Sequence, residues 1–133
     1  MPLPITSTTA ALLALLLLLL AILTVRQRLR LKAAFGDADD TALIAASRSH
    51  GNLAEHAPIV LIMLGLLEYA EANPTLLMVI AGAFVLARIA HVIGLHTPAE
   101  PGKSPIPRQI GVVLTWLSML VLAVQILIGV FAP

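Results

Sequence analysis

The sequence contains no cysteine and few charged residues. The absence of cysteine excludes a disulfide framework and a thiolate-ligated metal centre. Lys, Arg, Asp and Glu make up 11% of the 133 residues, whereas a soluble domain carries about 25%. Hydrophobic residues make up 59%, and the mean hydropathy is +1.00. The composition therefore predicts a membrane protein, and the length allows one domain over residues 1–133.

Four apolar stretches are long enough to cross a bilayer, which takes about 20 residues for ~30 Å of hydrocarbon. They cover residues 3–25, 41–70, 75–95 and 110–130. Basic residues follow the first stretch and none precedes it, which is the reverse of a signal peptide, so we interpret it as a retained helix. We expect the Thr41 hydroxyl to cap the second helix, and no helix to include the prolines of residues 98–107. The fold class is an all-α membrane protein with a four-transmembrane-helix bundle.

The loops differ in positive charge. The first and third connections contain Lys and Arg, and the second contains neither. The positive-inside rule therefore predicts that both termini lie outside and that the 1–2 and 3–4 connections face the cytosol. The short loops and the lack of targeting signals favour a bacterial inner membrane.

Polar side chains from three spans are expected at one depth, near the cytosolic end. They are Arg48, Asn52 and Glu55 on the second span, Arg88 and His91 on the third, and Arg108 at the start of the fourth. The spacings i, i+4, i+7 and i, i+3 place the members from each span on one helix face. A charge near the centre of a span costs about 2.5–3.5 kcal/mol, so such groups normally face the bundle interior and mark a site.

This polar layer contains several guanidinium groups and one carboxylate. Guanidinium groups bind carboxylates in a bidentate manner, and the lone Glu55 could accept an ammonium group. The pattern favours a small zwitterion with excess negative charge. Snorkelling of Arg108 and a polar pair between Arg48 and Glu55 are the structural alternatives. We predict no metal site, because His50 and His56 point to different sides of their helix and arginines repel cations.

Several segments resemble the MAPEG family, the membrane-associated proteins in eicosanoid and glutathione metabolism. They are RSHGNLAEHAP at 48–58, Glu68, RIAH at 88–91 and PRQIGVVLT at 107–115. The resemblance covers nearly the whole chain. It implies a homotrimer of left-handed four-helix bundles that binds glutathione at subunit boundaries near the cytosolic face. Family members conjugate glutathione to lipophilic electrophiles, reduce lipid hydroperoxides or isomerise prostaglandin endoperoxides.

The resemblance also assigns roles to residues. Positions that match glutathione contacts are Arg48, Asn52, Glu55, Arg88, His91 and Arg108. An arginine at the end of the first helix completes the set; we assign Arg26, with Arg28 and Arg30 as alternatives. Arg108 is the candidate catalytic residue, because it would stabilise the glutathione thiolate. The implied partners are two further copies of the chain, the lipid bilayer, glutathione and a small lipophilic substrate, with no nucleic acid.

The chain differs from eukaryotic synthases of the family at three positions. It has Gly51 where they have Arg, Leu95 where they have Tyr, and Gln109 where they have Ser. These differences favour the bacterial branch. The leading hypothesis is a glutathione transferase or peroxidase, and a non-enzymatic scaffold or modulator is the alternative. A transporter or proton path through Glu55 and the histidines is a third possibility, disfavoured by the excess of cations and the lack of internal repeats.

Overall fold

Four long α-helices make up the computed structural model, which describes residues 2–99 and 102–131. They are α1 (Pro4–Leu31), α2 (Thr41–Tyr69), α3 (Pro74–His96) and α4 (Ile106–Phe131). Each helix is long and apolar enough to cross a membrane. The prediction of an all-α bundle with four spans is therefore confirmed.

Two helices extend several residues beyond the predicted spans. Helix α1 continues past Val25 to Leu31, and Lys32 ends it in the left-handed conformation. Helix α4 begins at Ile106, so Pro107 lies inside its first turn. The expectation that no helix would include this proline was wrong. Proline is tolerated in the first turn because the amide groups there have no partner within the helix.

The caps of α2 and α3 come from residues just before each helix. Asp40, and not Thr41, caps α2, and its carboxylate accepts a hydrogen bond of 2.9 Å from the Leu43 amide. The prediction that Thr41 caps α2 was therefore wrong, and the capping residue is the preceding one. Asn73 caps α3 by accepting hydrogen bonds from the two amides at residues 75 and 76. These caps satisfy amides that the helices cannot satisfy themselves.

The helices run up and down, and each packs against its neighbours in sequence. Helix α1 contacts α2 and α3 but not α4, so α1 and α4 lie at opposite corners of the bundle. Fully buried apolar side chains between the helices include Leu20, Leu53, Leu64, Phe84 and Leu122. Many other large apolar side chains remain on the outside. Such a surface suits contact with lipid, which is as apolar as these side chains.

Glycines bring α3 and α4 into close contact. A Cβ atom added to Gly94 would lie 2.6 Å from Cα of Arg108, and one added to Gly111 would lie 2.7 Å from the Ala87 carbonyl. Only glycine fits at such distances. Close backbone approach through small residues is a common way for membrane helices to associate. This contact fixes the start of α4, and with it Arg108, against the last turns of α3.

Candidate functional site

Arg88 joins three helices at the end of the bundle that carries the α1–α2 and α3–α4 connections, which we call the basic end. Its side chain is 2% exposed. Nη1 donates to Oδ1 of Asn52 on α2 at 2.6 Å. Nη2 donates to the Gly111 carbonyl at 3.2 Å and to the hydroxyl of Thr115, both on α4. The prediction that Arg88 faces the interior is confirmed, and the structure brings Arg88 and Asn52 together.

The charge of Arg88 has no counter-ion within the part of the chain that the structure describes. All three of its hydrogen-bond acceptors are neutral, and the Phe84 ring lies 5.5 Å from its guanidinium carbon. Its Nε is buried and has no hydrogen-bond partner. A buried charge that lacks a partner is costly in a low-dielectric environment. The site therefore favours an anion close to Arg88.

His91 lies one turn beyond Arg88 and is 5% exposed. Four groups on three helices act on it electrostatically, and they are Arg88, Arg108, His56 and Arg48. The basic side chains predicted on α2, α3 and α4 therefore lie within electrostatic range of one buried imidazole. The prediction that His91 faces the bundle interior is confirmed as well.

The other predicted site residues lie on the surface of this single chain. Arg48, Glu55 and Arg108 are exposed, and Asn52 is half-buried. None of these three charged side chains forms an ion pair with residues 2–99 or 102–131; the ion pair within these ranges joins Arg30 to Asp40 at 2.7 Å. Their charges are thus available to a ligand or to another copy of the chain.

The arginines of α1 differ in what they contact. Arg28 donates to the carbonyls of Ala34 and Gly36 and so holds the α1–α2 loop, and Arg30 pairs with Asp40. Arg26 is exposed and makes no side-chain hydrogen bond with the described residues. Of the three, Arg26 is the one whose guanidinium remains available. Because α1 and α4 are at opposite corners, the chain does not bring Arg26 to Arg108.

The histidines of α2 have local roles. Nδ1 of His56 lies 2.8 Å from the Asn52 carbonyl oxygen, which ties it to the preceding turn. This contact gives His56 a structural role within α2. His50 is half-buried. Among the residues described, no three His, Asp or Glu side chains are grouped so that they could hold a metal ion.

Sequence reasoning missed three residues that build this site. Thr115 accepts from Arg88 and donates to the Gly111 carbonyl at 2.7 Å, and Gly94 and Gly111 allow the close packing beside it. The sequence did contain a signal for the close packing of α4. Gly111, Thr115 and Ser118 are small residues at i, i+4 and i+7, a spacing typical of a helix contact face in membranes.

Comparison with known proteins agrees with this architecture. The model of the MAPEG family matches residues 6–128. The chain belongs to the MAPEG family. This MAPEG chain is also 31% identical over 99 residues to inner membrane protein YecN of Escherichia coli K12, a match that covers 74% of the chain and 71% of YecN. YecN of E. coli O6:H1 matches to the same extent. No solved structure is significantly similar to the chain.

The family assignment confirms the resemblance inferred from the motifs. It also agrees with the four long apolar helices, and the chain is an integral membrane protein. The name of the E. coli relatives gives a membrane location and states no reaction.

Proposed function

We propose that this chain binds glutathione and uses it to conjugate or reduce lipophilic electrophiles and hydroperoxides. The observation that carries the proposal is the buried Arg88, which has neutral acceptors, a spare Nε and no counter-ion among the described residues. Further cations lie nearby, since both Arg48 and Arg108 influence the adjacent His91 electrostatically. A site with this excess of positive charge selects an anionic ligand.

The available side chains fit the groups of glutathione. Its two carboxylates suit the exposed guanidinium groups of Arg48 and Arg108, and Glu55 could accept its ammonium group. Arg88 is buried, so its proposed role is indirect: it would hold Asn52 in position and contribute its positive charge to the site. His91 and Arg26 would complete the set. Each of these residues keeps at least one polar group that no described part of the chain occupies; in Asn52 this group is Nδ2, because Oδ1 accepts from Arg88.

Arg108 is the residue proposed to activate the thiol. When bound, glutathione supplies a thiolate nucleophile. The Arg108 guanidinium lies in the first turn of α4, where the helix dipole adds further positive potential. The positive charge of the guanidinium and the helix dipole both favour the ionised thiol of glutathione over the neutral thiol. The close contact between Gly94 and Arg108 would hold this charge in place.

The proposed assembly is a homotrimer in a bacterial inner membrane, with the basic end facing the cytosol. Within one chain, Arg26 and Arg108 lie on helices at opposite corners. One ligand could contact both if Arg26 of one copy meets the α4 face of the next copy. The site would then lie at the boundary between two copies, and each trimer would contain three such sites.

Conjugation of glutathione to 1-chloro-2,4-dinitrobenzene tests the activity on purified protein in detergent. We expect the wild type to catalyse the reaction and millimolar glutathione to raise its Tm. Arg108→Gln should lower kcat/KM by about a hundredfold, which corresponds to about 2.7 kcal/mol of lost stabilisation. Arg30→Gln is the control, because the Arg30 guanidinium is already paired with Asp40. A wild type without turnover or thermal stabilisation would contradict the proposal.

Mixing two inactive variants tests the shared site. A trimer that contains both Arg26→Ala and Arg108→Ala chains has one boundary with both arginines. Random co-assembly should therefore restore roughly a quarter of the wild-type activity. The control is a mixture of two preparations that were assembled separately. If co-expressed trimers recover no activity, the two arginines do not meet at a boundary between copies. They would then belong to a site within one copy, or not both belong to the site.

A non-enzymatic role is the second candidate, and one contact favours it. The side-chain amide of Gln109 donates to the Ser104 carbonyl at 2.7 Å, so it binds the loop before α4. It stands where eukaryotic synthases of the family have a serine beside the catalytic arginine. If the chain is a scaffold or modulator, the assembled protein should show no response to glutathione in either assay.

A further inference from the structure

A recess lies between α1 and α3, at the end of the bundle with the α2–α3 turn, which we call the terminal end. It encloses about 890 Å³. Its walls are mostly apolar and include Leu12, Leu77, Met78, Ala81, Val85 and Leu86. Along α3 it extends from Pro74 to Leu86, which is about 18 Å at the rise of an α-helix. These dimensions suit an extended apolar chain.

Two carboxylates, Glu68 and Glu71, line the mouth of this groove. Glu68 accepts hydrogen bonds from the amides of Ile5 at 2.7 Å and Thr6 at 2.8 Å. An ionised carboxylate has about four lone-pair sites, so Glu68 retains capacity for a further donor. Glu71 is exposed and accepts no hydrogen bond from the described side chains.

No cationic side chain balances these carboxylates. Residues 2–12, 64–82 and 120–131, which form the terminal end, include no Lys, Arg or His. Among the side chains of these residues, the charge at the mouth of the groove is therefore only negative, and it lies beside an apolar wall. An anionic lipid headgroup would be repelled there, and a neutral tail would leave the carboxylates unpaired.

We propose that this groove binds a cationic amphiphile, with its ammonium group at Glu71 and Glu68 and its alkyl chain along α3. Charge complementarity at the mouth selects the headgroup, and the apolar wall accepts the tail. The mouth of the groove lies at the opposite end of the bundle from the proposed glutathione site, and the groove shares no residue with that site. The inference is thus independent of the proposed function.

Binding of dodecyltrimethylammonium tests this inference on protein in phosphatidylcholine nanodiscs. Dodecyl sulfate and dodecanol carry the same chain with an anionic and a neutral head. We expect saturable binding of the cation, with the other two at least about tenfold weaker. Glu71→Gln should weaken binding of the cation by about tenfold, which equals about 1.4 kcal/mol. Equal binding of all three probes would overturn the proposal.

A matched pair of glycine variants tests the position of the tail. Gly82→Leu fills the groove, and an added Cβ there would meet no atom within 4 Å. Gly129→Leu makes the same change in α4, also with no atom within 4 Å, and lies outside the groove. Only Gly82→Leu should abolish binding of the cation. If it instead dissociates the protein into single chains while the wild type binds no cation, a second copy covers the groove and the proposal fails.

Discussion

The two ends of the bundle stabilise charge in the same way and use it differently. At the basic end, the Arg88 guanidinium donates to neutral oxygens on α2 and α4. At the terminal end, the Glu68 carboxylate accepts from the amides of Ile5 and Thr6. Neither charge is paired with a side chain of opposite sign in the described chain. Neutral dipoles from a neighbouring helix solvate each charge in place of water.

The two ends differ in how much of their charge remains available to a ligand. The Glu68 carboxylate caps the amides at the start of α1, so part of its capacity supports the fold. At the basic end, Arg48 and Arg108 are exposed and unpaired around the buried His91. The comparison teaches that a charge held by neutral groups does not by itself identify a site. At each end, exposed charge of the same sign that no described side chain pairs, Arg48 and Arg108 or Glu71, is what favours a ligand.

The largest effect is expected from removing the Arg88 guanidinium. Arg88→Met would leave Oδ1 of Asn52 and the Thr115 hydroxyl without their donor. We expect a loss of about 3 kcal/mol in the free energy of unfolding, measured by denaturant titration in detergent. Arg48→Met is the control and should change stability little, because Arg48 is exposed. Equal stability of the two variants would show that Arg88 does not join the helices.

The second-largest effect is expected at the close contact between α3 and the start of α4. Gly94→Ala would place a Cβ 2.6 Å from Cα of Arg108 and push the start of α4 away. We expect a loss of about 2 kcal/mol in the free energy of unfolding, as in overpacked cores. Gly82→Ala on the same helix meets no atom within 4 Å and should be neutral or stabilising, because alanine favours helix. A Gly94→Ala variant as stable as Gly82→Ala would contradict the close contact.

A smaller effect is expected at the terminal end. Glu68→Ala removes the acceptor of the first amides of α1, since Leu3 provides no side-chain cap. We expect a loss of about 1 kcal/mol and faster hydrogen exchange at the amides of Ile5 and Thr6. Glu71→Ala changes the neighbouring carboxylate without removing this cap. Exchange that is equally slow in both variants would rule out capping by Glu68.

The smallest effect is a pH dependence at the start of α2. Hydrogen bonds from the Leu43 amide and the Arg30 guanidinium lower the pKa of Asp40. Because its pKa is lower in the folded state, the carboxylate stabilises the protein above its unfolded pKa of about 3.9, and this contribution is lost as the pH falls through the folded value. Asp40→Asn should therefore flatten the acid limb of a Tm–pH curve. Asp39→Asn, whose carboxylate makes no such hydrogen bonds, should leave that limb unchanged.

Much of the fold could be predicted because length and hydropathy determine it. A span of about 20 apolar residues has one stable form in a bilayer, which is the helix. The helix ends were less certain, as at Leu31 and Ile106, because the basic residues after Val25 end the apolar run but not the helix. Hydropathy reports where the bilayer ends, while hydrogen bonding decides where a helix ends.

The candidate site was only partly predictable. Helical spacing identified Arg88 and His91 as interior residues, because charges inside a span must avoid lipid. The partners of Arg88 could not be found in this way, since contact with Thr115 depends on the rotation of α4 relative to α3. The same limit applies to Glu68, whose partners are the backbone amides of Ile5 and Thr6. Every residue except proline has such an amide, so the sequence does not distinguish these two from the others.

Equilibrium binding of labelled glutathione to the purified protein tests most directly whether the unpaired arginines of the basic end form one anion site. The account predicts saturable binding that weakens as salt is raised and falls by about tenfold in both Arg48→Gln and Arg108→Gln. Arg30→Gln, which alters an arginine already paired with Asp40, should bind like the wild type. Absence of saturable binding, or equal weakening in all three variants, would contradict it.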